Sequence, residues 1–424
     1  MAHIAVGDVG EPPEQRRTLV VLVLAQILSG AALAAGITVG ALLAQEMLGS
    51  SRLSGLPTAL FALGSAVAAA AVGRLSQGLG RRAGLSAGYL AGAVGSFGVV
   101  LSAWMDSLVL LFLSLFVYGA GVATNLQARY AGADLAAPSR RGRAVSTVLV
   151  ATTVGAVVGP NLVTVMGHAA LAIGVRALAG PFLLAGVAYT AAGLVLWVLL
   201  RPDPLLLARS IAAAEHEGDD AIAPTVRSRG HGWSPAVLGG AGILILSQLV
   251  MVAIMTMTPI QIQHHGHNVG ATGVVISAHI AAMFLPSPLS GWLVDRFGRI
   301  AVAVASAVTL LIAGLLAAWA PAASIGPLTL ALILLGFGWN LGLVSGSAVI
   351  ADAVPLEFRA RTQGTVDLGV SIAAAGGGLA SGLVVAAASY ATLTIISGLL
   401  ALLIIPIAAL ARVRTPTPSE LTRV

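Results

Sequence analysis

Residues 73–81 are Gly-Arg-Leu-Ser-Gln-Gly-Leu-Gly-Arg, and residues 291–299 are Gly-Trp-Leu-Val-Asp-Arg-Phe-Gly-Arg. Glycine, leucine, glycine and arginine recur at matching positions of the two stretches, which lie 218 residues apart. The same offset relates Asp134, Arg141 and Arg143 to Asp352, Arg359 and Arg361. One offset shared by so many positions predicts two copies of one unit of about 200 residues.

The composition predicts that both units lie in a lipid bilayer. Of the 424 residues, 58% are hydrophobic and only 9% are charged, whereas a soluble domain carries about 25% charged residues. The mean hydropathy is +0.96. Because lipid satisfies no backbone polar group and the apolar runs are too long for barrel strands, the sequence predicts an all-α membrane protein.

Twelve apolar runs reach the length of about 20 residues that a helix needs to cross a bilayer. Six precede the polar stretch 201–235 and six follow it, which predicts 12 transmembrane helices in two six-helix pseudo-symmetric halves. The first run starts at residue 18 and the seventh at 236, so the hydropathy agrees with the offset. The predicted spans are 18–45, 54–76, 83–104, 108–131, 143–166, 179–200, 236–262, 270–292, 300–320, 328–351, 362–388 and 391–411.

These spans set the predicted domain limits. The chain divides into an N-terminal tail 1–17, a six-helix bundle 18–200, a linker 201–235, a second bundle 236–411 and a C-terminal tail 412–424. We expect a short amphipathic helix around 204–214 of the linker. Its acidic cluster at 215–220 fits a solvated connector, with a metal site as the alternative.

The basic residues predict the orientation. All 22 are arginine, and all except Arg52, Arg129 and Arg176 fall in segments that are cytoplasmic if the N-terminus is cytoplasmic. The positive-inside rule therefore predicts a multi-pass protein of the cell membrane with both termini in the cytoplasm. This distribution explains the sequence pI of about 10.6 without a nucleic-acid partner. The stretch before Arg16 lacks the basic region of a cleaved signal peptide. The absence of cysteine excludes disulfides and thiolate metal sites.

The duplicated spans, the long central loop and the two motif copies resemble the major facilitator superfamily of transporters. The loop 73–82 is similar to the family's gating motif, Gly-x-Leu-x-Asp-Arg-x-Gly-Arg-Arg, and the copy at 291–299 keeps its acidic residue as Asp295. The first copy has Gln77 there, which cannot form an ion pair, so we expect Asp295 to carry the charged latch. The resemblance implies gating roles for Gln77, Arg81, Asp134, Arg141, Arg143, Asp295, Arg296, Arg299, Asp352, Arg359 and Arg361.

A second motif resembles the family's antiporter motif, Gly-x-x-x-Gly-Pro. Gly155, Gly159 and Pro160 supply it in the fifth span, and in the family it accompanies export rather than import. The alternative is close helix packing, because glycines four residues apart let helices approach. The arginine that the family usually carries in the upper fourth span is absent, since Leu115 or Phe116 stands there.

Polar residues near the middle of four spans predict the substrate site. Gln26, Asn125, Gln248 and Asn340, the last beside Trp339, lie on the first, fourth, seventh and tenth spans, which line the cavity in the resembled family. Such transporters bind substrate near the midplane. The alternative for each residue is hydrogen bonding between helices.

Proton coupling requires a group that titrates inside the membrane, where ionisable residues are costly and usually functional. His279 in the eighth span is the leading candidate because histidine changes charge near neutral pH, and its alternative is a neutral histidine hydrogen-bonded between helices. Asp367, Glu46 and Arg129 are further candidates, although Glu46 fits a water-exposed helix end.

Two further patterns bear on function. His264, His265 and His267 are weak candidates for a divalent-cation site, with a surface loop as the alternative, and we predict no metal and no cofactor. Gly84, Ser86 and Gly88 match a hydrolase nucleophile motif, which requires a strand-turn-helix context. Because they begin an apolar span instead, we predict no enzyme activity.

The resulting hypothesis is a drug:proton antiporter-like, monomeric multidrug exporter. It would move a small, largely apolar compound against protons by rocker-switch alternating access. The first alternative is an importer or facilitator of a nutrient or metal complex. The second is a receptor or scaffold that transports nothing.

Overall fold

The computed structural model describes residues 11–48, 56–218, 233–264, 269–321 and 325–410, and it is helical in every element of these ranges. The first helices are α1 (Glu14–Leu48), α2 (Leu56–Leu79), α3 (Arg81–Met105), α4 (Leu108–Ala133), α5 (Arg141–Asn161), α6 (Val163–Ala172), α7 (Gly180–Leu199) and α8 (Pro204–Gly218). The later helices are α9 (Pro235–His264), α10 (Val269–Phe284), α11 (Ser287–Phe297), α12 (Arg299–Trp319), α13 (Ile325–Ala353), α14 (Arg359–Ala387), α15 (Tyr390–Ala401) and α16 (Ile404–Leu410). Short 3-10 turns at Pro138–Arg140 and Ala177–Ala179 precede α5 and α7.

These helices account for the predicted all-α membrane fold. Within the described ranges, ten helical stretches are long and apolar enough to cross a membrane by length and composition. The other two predicted spans fall on α1, which has 35 residues, and on α5 with α6. The linker helix expected around 204–214 is present as α8.

Three predicted spans are each divided into two helices in the structure. The span 143–166 breaks at Leu162 between α5 and α6, the span 270–292 breaks before α11, and the span 391–411 breaks between α15 and α16. Pro160, Pro286 and Pro406 lie at or within four residues of these breaks. Proline lacks an N–H donor and its ring clashes with the carbonyl four residues earlier, so each helix is interrupted there.

Each half of the chain contributes most of one apolar core, and the second core extends to Val145 and Leu149 of α5 in the first half. Helices α1–α7 enclose one core that includes Tyr89, Tyr118 and Phe182. Helices α9–α16 enclose another that includes Leu310 and Trp339. The exact domain limits given above stay a prediction.

Successive spans run in opposite directions, so alternate connections gather at the same end of the bundle. We call one end the arginine face, defined by Arg81, Arg141, Arg299 and Arg359 at the helix ends there. The linker helix α8 lies on this face. The other end, which we call the opposite face, carries Asp106 after α3.

Candidate functional site

The two halves meet at the arginine face through two helix crossings. At one, α2 touches α14, and a Cβ atom built on Gly73 would lie 2.7 Å from the Cα atom of Gly364. At the other, α5 touches α11, and a Cβ atom on Gly142 would lie 2.7 Å from the carbonyl oxygen of Gly291. Such separations are below any ordinary contact, so both crossings require glycine. The structure is therefore the state in which the arginine face is closed.

Asp295 joins the halves at the α5–α11 crossing. Its Oδ1 accepts a hydrogen bond from the backbone N–H of Gly142 at 2.9 Å, and its Oδ2 accepts one from the N–H of Arg143 at 3.0 Å. The Arg143 guanidinium lies 3.8 Å from the same carboxylate. These groups form the N-terminus of α5, where unpaired N–H groups and the helix dipole favour an anion. The carboxylate thus caps a helix of the other half.

Gln77 holds the equivalent place at the α2–α14 crossing, since the 218-residue offset relates it to Asp295. Its Oε1 accepts from the backbone N–H of Arg361 at 3.1 Å, the counterpart of the Arg143 bond. Its Nε2 donates to the carbonyl oxygens of Glu357 at 2.6 Å and Leu356 at 3.2 Å. The amide forms a neutral lock with donors that a carboxylate lacks.

The linker helix α8 reinforces the same crossing. The Arg209 guanidinium donates to the carbonyl oxygen of Gln77 at 3.1 Å and to that of Leu356 at 3.2 Å, so it bridges the two halves. Asp203 anchors the start of α8, because its carboxylate accepts from the N–H of Leu205 at 3.0 Å and from the N–H of Arg82 at 2.7 Å. Sequence reasoning missed both residues, since a polar linker carries no pattern that identifies their partners.

Duplicated ion pairs line the closed face. Arg81 contacts Asp134 at 2.7 Å and, at the related position, Arg299 contacts Asp352 at 2.6 Å. Each pair lies within one half. Arg141 crosses between the halves to contact Asp352.

The related crossing contact is longer. Arg359 lies 4.0 Å from Asp134. Arg81 also donates to Gln363 of the other half at 2.5 Å. Among the predicted gating residues, Arg296 is exposed and has no ion-pair partner within the described part of the chain.

One further ion pair joins the halves away from the surface. Arg129 of α4 contacts Asp367 of α14 at 2.8 Å, with only 1% and 8% of the two side chains exposed. Tyr130 donates to the same carboxylate oxygen at 3.3 Å. Asp367 lies eight residues into its helix, about 12 Å from the arginine face. The sequence identified both charged residues but gave no sign that they form a pair.

The residues around this ion pair follow the 218-residue repeat only in part. Arg129 also donates to Ser347 at 2.9 Å, and these two residues are related by the offset of 218. The position related to Asp367 is Leu149, a buried residue of α5. The offset therefore predicts the Arg129–Ser347 proximity near the pseudo-twofold axis, whereas the acidic partner is unique to the second half.

The other two proton-coupling candidates lie elsewhere. His279 is fully buried between α10 and α13 of the second half, where its Nδ1 is 2.8 Å from the Leu332 carbonyl oxygen. Glu46 is exposed at the opposite face and pairs with Arg176 at 3.0 Å. The hydrogen bond with Glu46 raises the pKa of the Arg176 guanidinium, which remains a cation.

The predicted substrate-binding amides of the first half are joined in one network. Gln26 donates to the carbonyl oxygen of Asn125 at 3.1 Å and to Thr152 at 3.0 Å, and its own oxygen accepts from Tyr89 at 2.6 Å. Asn125 donates to Ser29 at 2.8 Å. All five residues are buried, so these amides bind helices α1, α3, α4 and α5 to one another.

The amides of the second half differ in exposure. Asn340 is fully buried and donates to Ser287 at 2.7 Å. Gln248 is half-buried, and its Oε1 accepts from the Trp339 indole N–H at 2.7 Å. These residues lie near the middles of α9 and α13, at the depth predicted for the site.

The antiporter-like motif lies where α5 packs on α1. A Cβ atom on Gly159 would lie 2.6 Å from the carbonyl oxygen of Ala31, and Gly155 approaches the α1 backbone as closely. Helix α5 ends just after Pro160. The histidine candidates His265 and His267 lie outside the described residues, as does the side chain of His264.

Comparisons with known proteins agree with this architecture. The family model described as Major Facilitator Superfamily matches residues 22–265 and 240–423. The uncharacterized MFS-type transporters YdeG and YddS of Bacillus subtilis (strain 168) are similar, at 54% identity over 94% of this chain and 93% of the relative, and at 52% over 95% and 93%.

More distant relatives share the fold. The riboflavin transporter RfnT of Brucella anthropi is 30% identical over 83% of this chain and 85% of its own. The solved structure of the proton:xylose symporter XylE superposes with a TM-score of 0.75 at 16% identity, covering 94% of this chain and 95% of that one. The chain therefore belongs to the major facilitator superfamily and is a multi-pass membrane transporter rather than an enzyme.

Proposed function

We propose that this protein exports small, neutral, largely apolar compounds across the cell membrane in exchange for protons, with its arginine face in the cytoplasm. The arginine distribution supports that orientation. In the closed state described above, substrate would leave from the opposite face. Opening of the arginine face would then admit substrate from the cytoplasm.

The observation that carries this proposal is the buried ion pair between Arg129 and Asp367. Its partners belong to different halves, so opening the arginine face separates them. A buried charge that loses its partner costs about 3–5 kcal/mol. A proton taken up by Asp367 removes that cost and favours the open state, whereas proton release restores the pair and favours closure. Conformation and protonation are thereby coupled.

Asp367 suits this role better than His279. Both helices that enclose His279 belong to the same half, and its Nδ1 faces a carbonyl oxygen of that half. Rocking of the two halves leaves this contact intact. We therefore propose Asp367 as the proton carrier and Arg129 as its counter-ion.

Export is supported by the antiporter-like motif formed by Gly155, Gly159 and Pro160. Uptake of a planar nutrient is the second candidate, because RfnT, a riboflavin transporter, is 30% identical over most of this chain. In that case the proton would move together with the substrate, and Asp367 would keep the same role.

Proteoliposomes with an imposed pH gradient test the proposal. Riboflavin and a panel of neutral lipophilic drugs are supplied on either side, and their flux is recorded with internal pH. We expect flux of at least one compound opposite to the proton flux. Flux of riboflavin along with protons would establish the uptake candidate, and proton-independent flux would contradict proton coupling.

Asp367→Asn tests the carrier. The variant cannot exchange a proton at this position, so gradient-driven accumulation should fall to the level without a gradient, while substrate exchange at equal pH continues. Asp106→Asn is the matched control, since it makes the same chemical change at an exposed carboxylate of the opposite face. Full gradient-driven transport by Asp367→Asn would refute the assignment.

A further inference from the structure

Only one of the four predicted mid-membrane amides, Gln248, keeps an unused N–H donor in the described part of the chain. The Asn340 amide oxygen also has no hydrogen-bond partner there, but it is an acceptor and is fully buried. Gln26 and Asn125 are buried in the network of the first half, and Asn340 is fully buried with its Nδ2 donating to Met283 and Ser287. Gln248 is half-buried, and its Nε2 has no hydrogen-bond acceptor within the described part of the chain. Gln248 is therefore the one of these four residues that can donate a hydrogen bond to a ligand.

Trp339 fixes which end of the Gln248 amide is free. An indole N–H only donates, so the atom 2.7 Å from it must be the amide oxygen. The indole itself is 3% exposed and packs edge-on against Phe284, with the ring centroids 5.7 Å apart. The amide therefore has one orientation, with its NH₂ group directed away from the indole.

The packing of α9 shows where that NH₂ group is placed. Leu244 lies against Gly346 of α13, whereas Ile245 and Leu249 lie against glycines of α14. At 100° per residue, Gln248 falls between these two faces of the helix. It faces the gap between α13 and α14, which is where α4 of the first half approaches both helices through Arg129.

The depth and charge of this gap limit the ligand. Trp339 lies eight residues from Ser347 along α13, so Gln248 is about 12 Å beyond the Arg129 contact toward the opposite face. The charged groups nearest the gap on α4 and α14 are Arg129 and Asp367, which compensate each other. A neutral ligand faces no unpaired charge here, whereas an ion would have to lose its hydration without a partner.

We infer that Gln248 is the substrate-facing hydrogen-bond donor of this transporter, and that it selects neutral, mostly apolar compounds bearing a carbonyl or ring-nitrogen acceptor. Trp339 is a positioning residue, because its indole N–H binds the amide oxygen of Gln248 and leaves the NH₂ group free for the substrate. The inference rests on the proposed transport function and adds the chemical class of the substrate. A hydrocarbon of the same shape leaves the amide NH₂ without an acceptor and binds less well.

Binding of 9-fluorenone and fluorene to the full chain in nanodiscs tests this inference, because the two compounds differ only in one carbonyl group. Empty nanodiscs correct for partition into lipid. Wild type should bind the ketone about tenfold more tightly, the effect expected of one hydrogen bond. Gln248→Met, which keeps the length of the side chain, should remove the difference in affinity between the two compounds.

Two further variants separate selectivity from folding. Trp339→Phe keeps the ring against Phe284 but frees the amide to rotate, so the preference should fall to about threefold. Gln248→Glu offers only acceptors when ionised and should reverse or abolish the preference. Equal binding of the pair by wild type, no saturable binding of either, or an unchanged preference in Gln248→Met would overturn the inference. Proton-coupled flux measured in parallel would then show whether the proposed function survives.

Discussion

The α5–α11 and α2–α14 crossings occupy equivalent places in the duplicated fold but are locked by different chemistry. Both depend on close backbone contact at a glycine, Gly291 in one and Gly73 in the other. Asp295 locks the first with a carboxylate that caps a helix N-terminus. Gln77 locks the second with a neutral amide that both donates and accepts.

The difference shows how a duplicated gate tolerates the loss of a charge. The amide gives up the attraction between a carboxylate and a helix N-terminus. In return it donates to two carbonyl groups of the other half, and Arg209 of α8 adds further donors to the same loop. The neutral lock is thus held by hydrogen bonds to backbone carbonyl groups, whereas the charged lock is accompanied by Arg143 and by the Arg141–Asp352 ion pair between the halves.

The largest expected effect comes from filling the shared glycine contacts. In Gly291→Val or Gly73→Val the new side chain meets backbone atoms that cannot move aside. Overpacking should cost the closed state about 3 kcal/mol, a shift of about 100-fold toward the open state. Spin labels at Ser139→Cys and Glu357→Cys, both exposed and on opposite halves, would report the distance in this naturally cysteine-free chain.

Gly376→Val is the matched control for the glycine variants. It makes the same change in α14 at a position where a Cβ atom meets nothing within 4 Å. The label distance should match wild type. A closed face in both Gly73→Val and Gly291→Val would show that the crossings do not need glycine.

A smaller effect is expected from the charged lock. Asp295→Asn keeps at most one of the two bonds to the α5 N-terminus and loses the charge. Because hydrogen bonds to charged groups contribute about 1.5–3 kcal/mol, closure should weaken about tenfold. The same spin-label distances measure it. We expect Gln77→Ala to shift the distance less, and a larger shift for Gln77→Ala than for Asp295→Asn would contradict this expectation.

The smallest effect is expected from the hydrogen bonds that Arg209 of α8 donates at the neutral lock. Arg209→Ala removes partly buried hydrogen bonds to Gln77 and Leu356, which should weaken closure about threefold. Arg74→Ala, an exposed arginine of the same face, serves as the control. The change should add to that of Asp295→Asn, since the two sites share no partner. Strong non-additivity would show that the crossings act as one unit.

Much of this architecture was determined by the sequence itself. Hydropathy and the offset of 218 residues are properties of the linear chain, and they predicted the helical membrane fold and its duplication. The partners of Asp134 and Asp352 within each half, Arg81 and Arg299, were found only in the structure. The offset also relates Gln77 to Asp295. These features can be found in the sequence because lipid requires long apolar helices and because duplication preserves the spacing between related residues.

Only the tertiary structure decided which polar groups remain free. Gln26, Asn125, Asn340 and Gln248 look alike in the sequence, yet three are buried among other helices and one retains an unused donor. The pairing of Arg129 with Asp367 departs from the repeat in the same way. Both outcomes depend on how each helix is rotated against its neighbours, and that rotation is set by side-chain packing between distant segments rather than by any one segment.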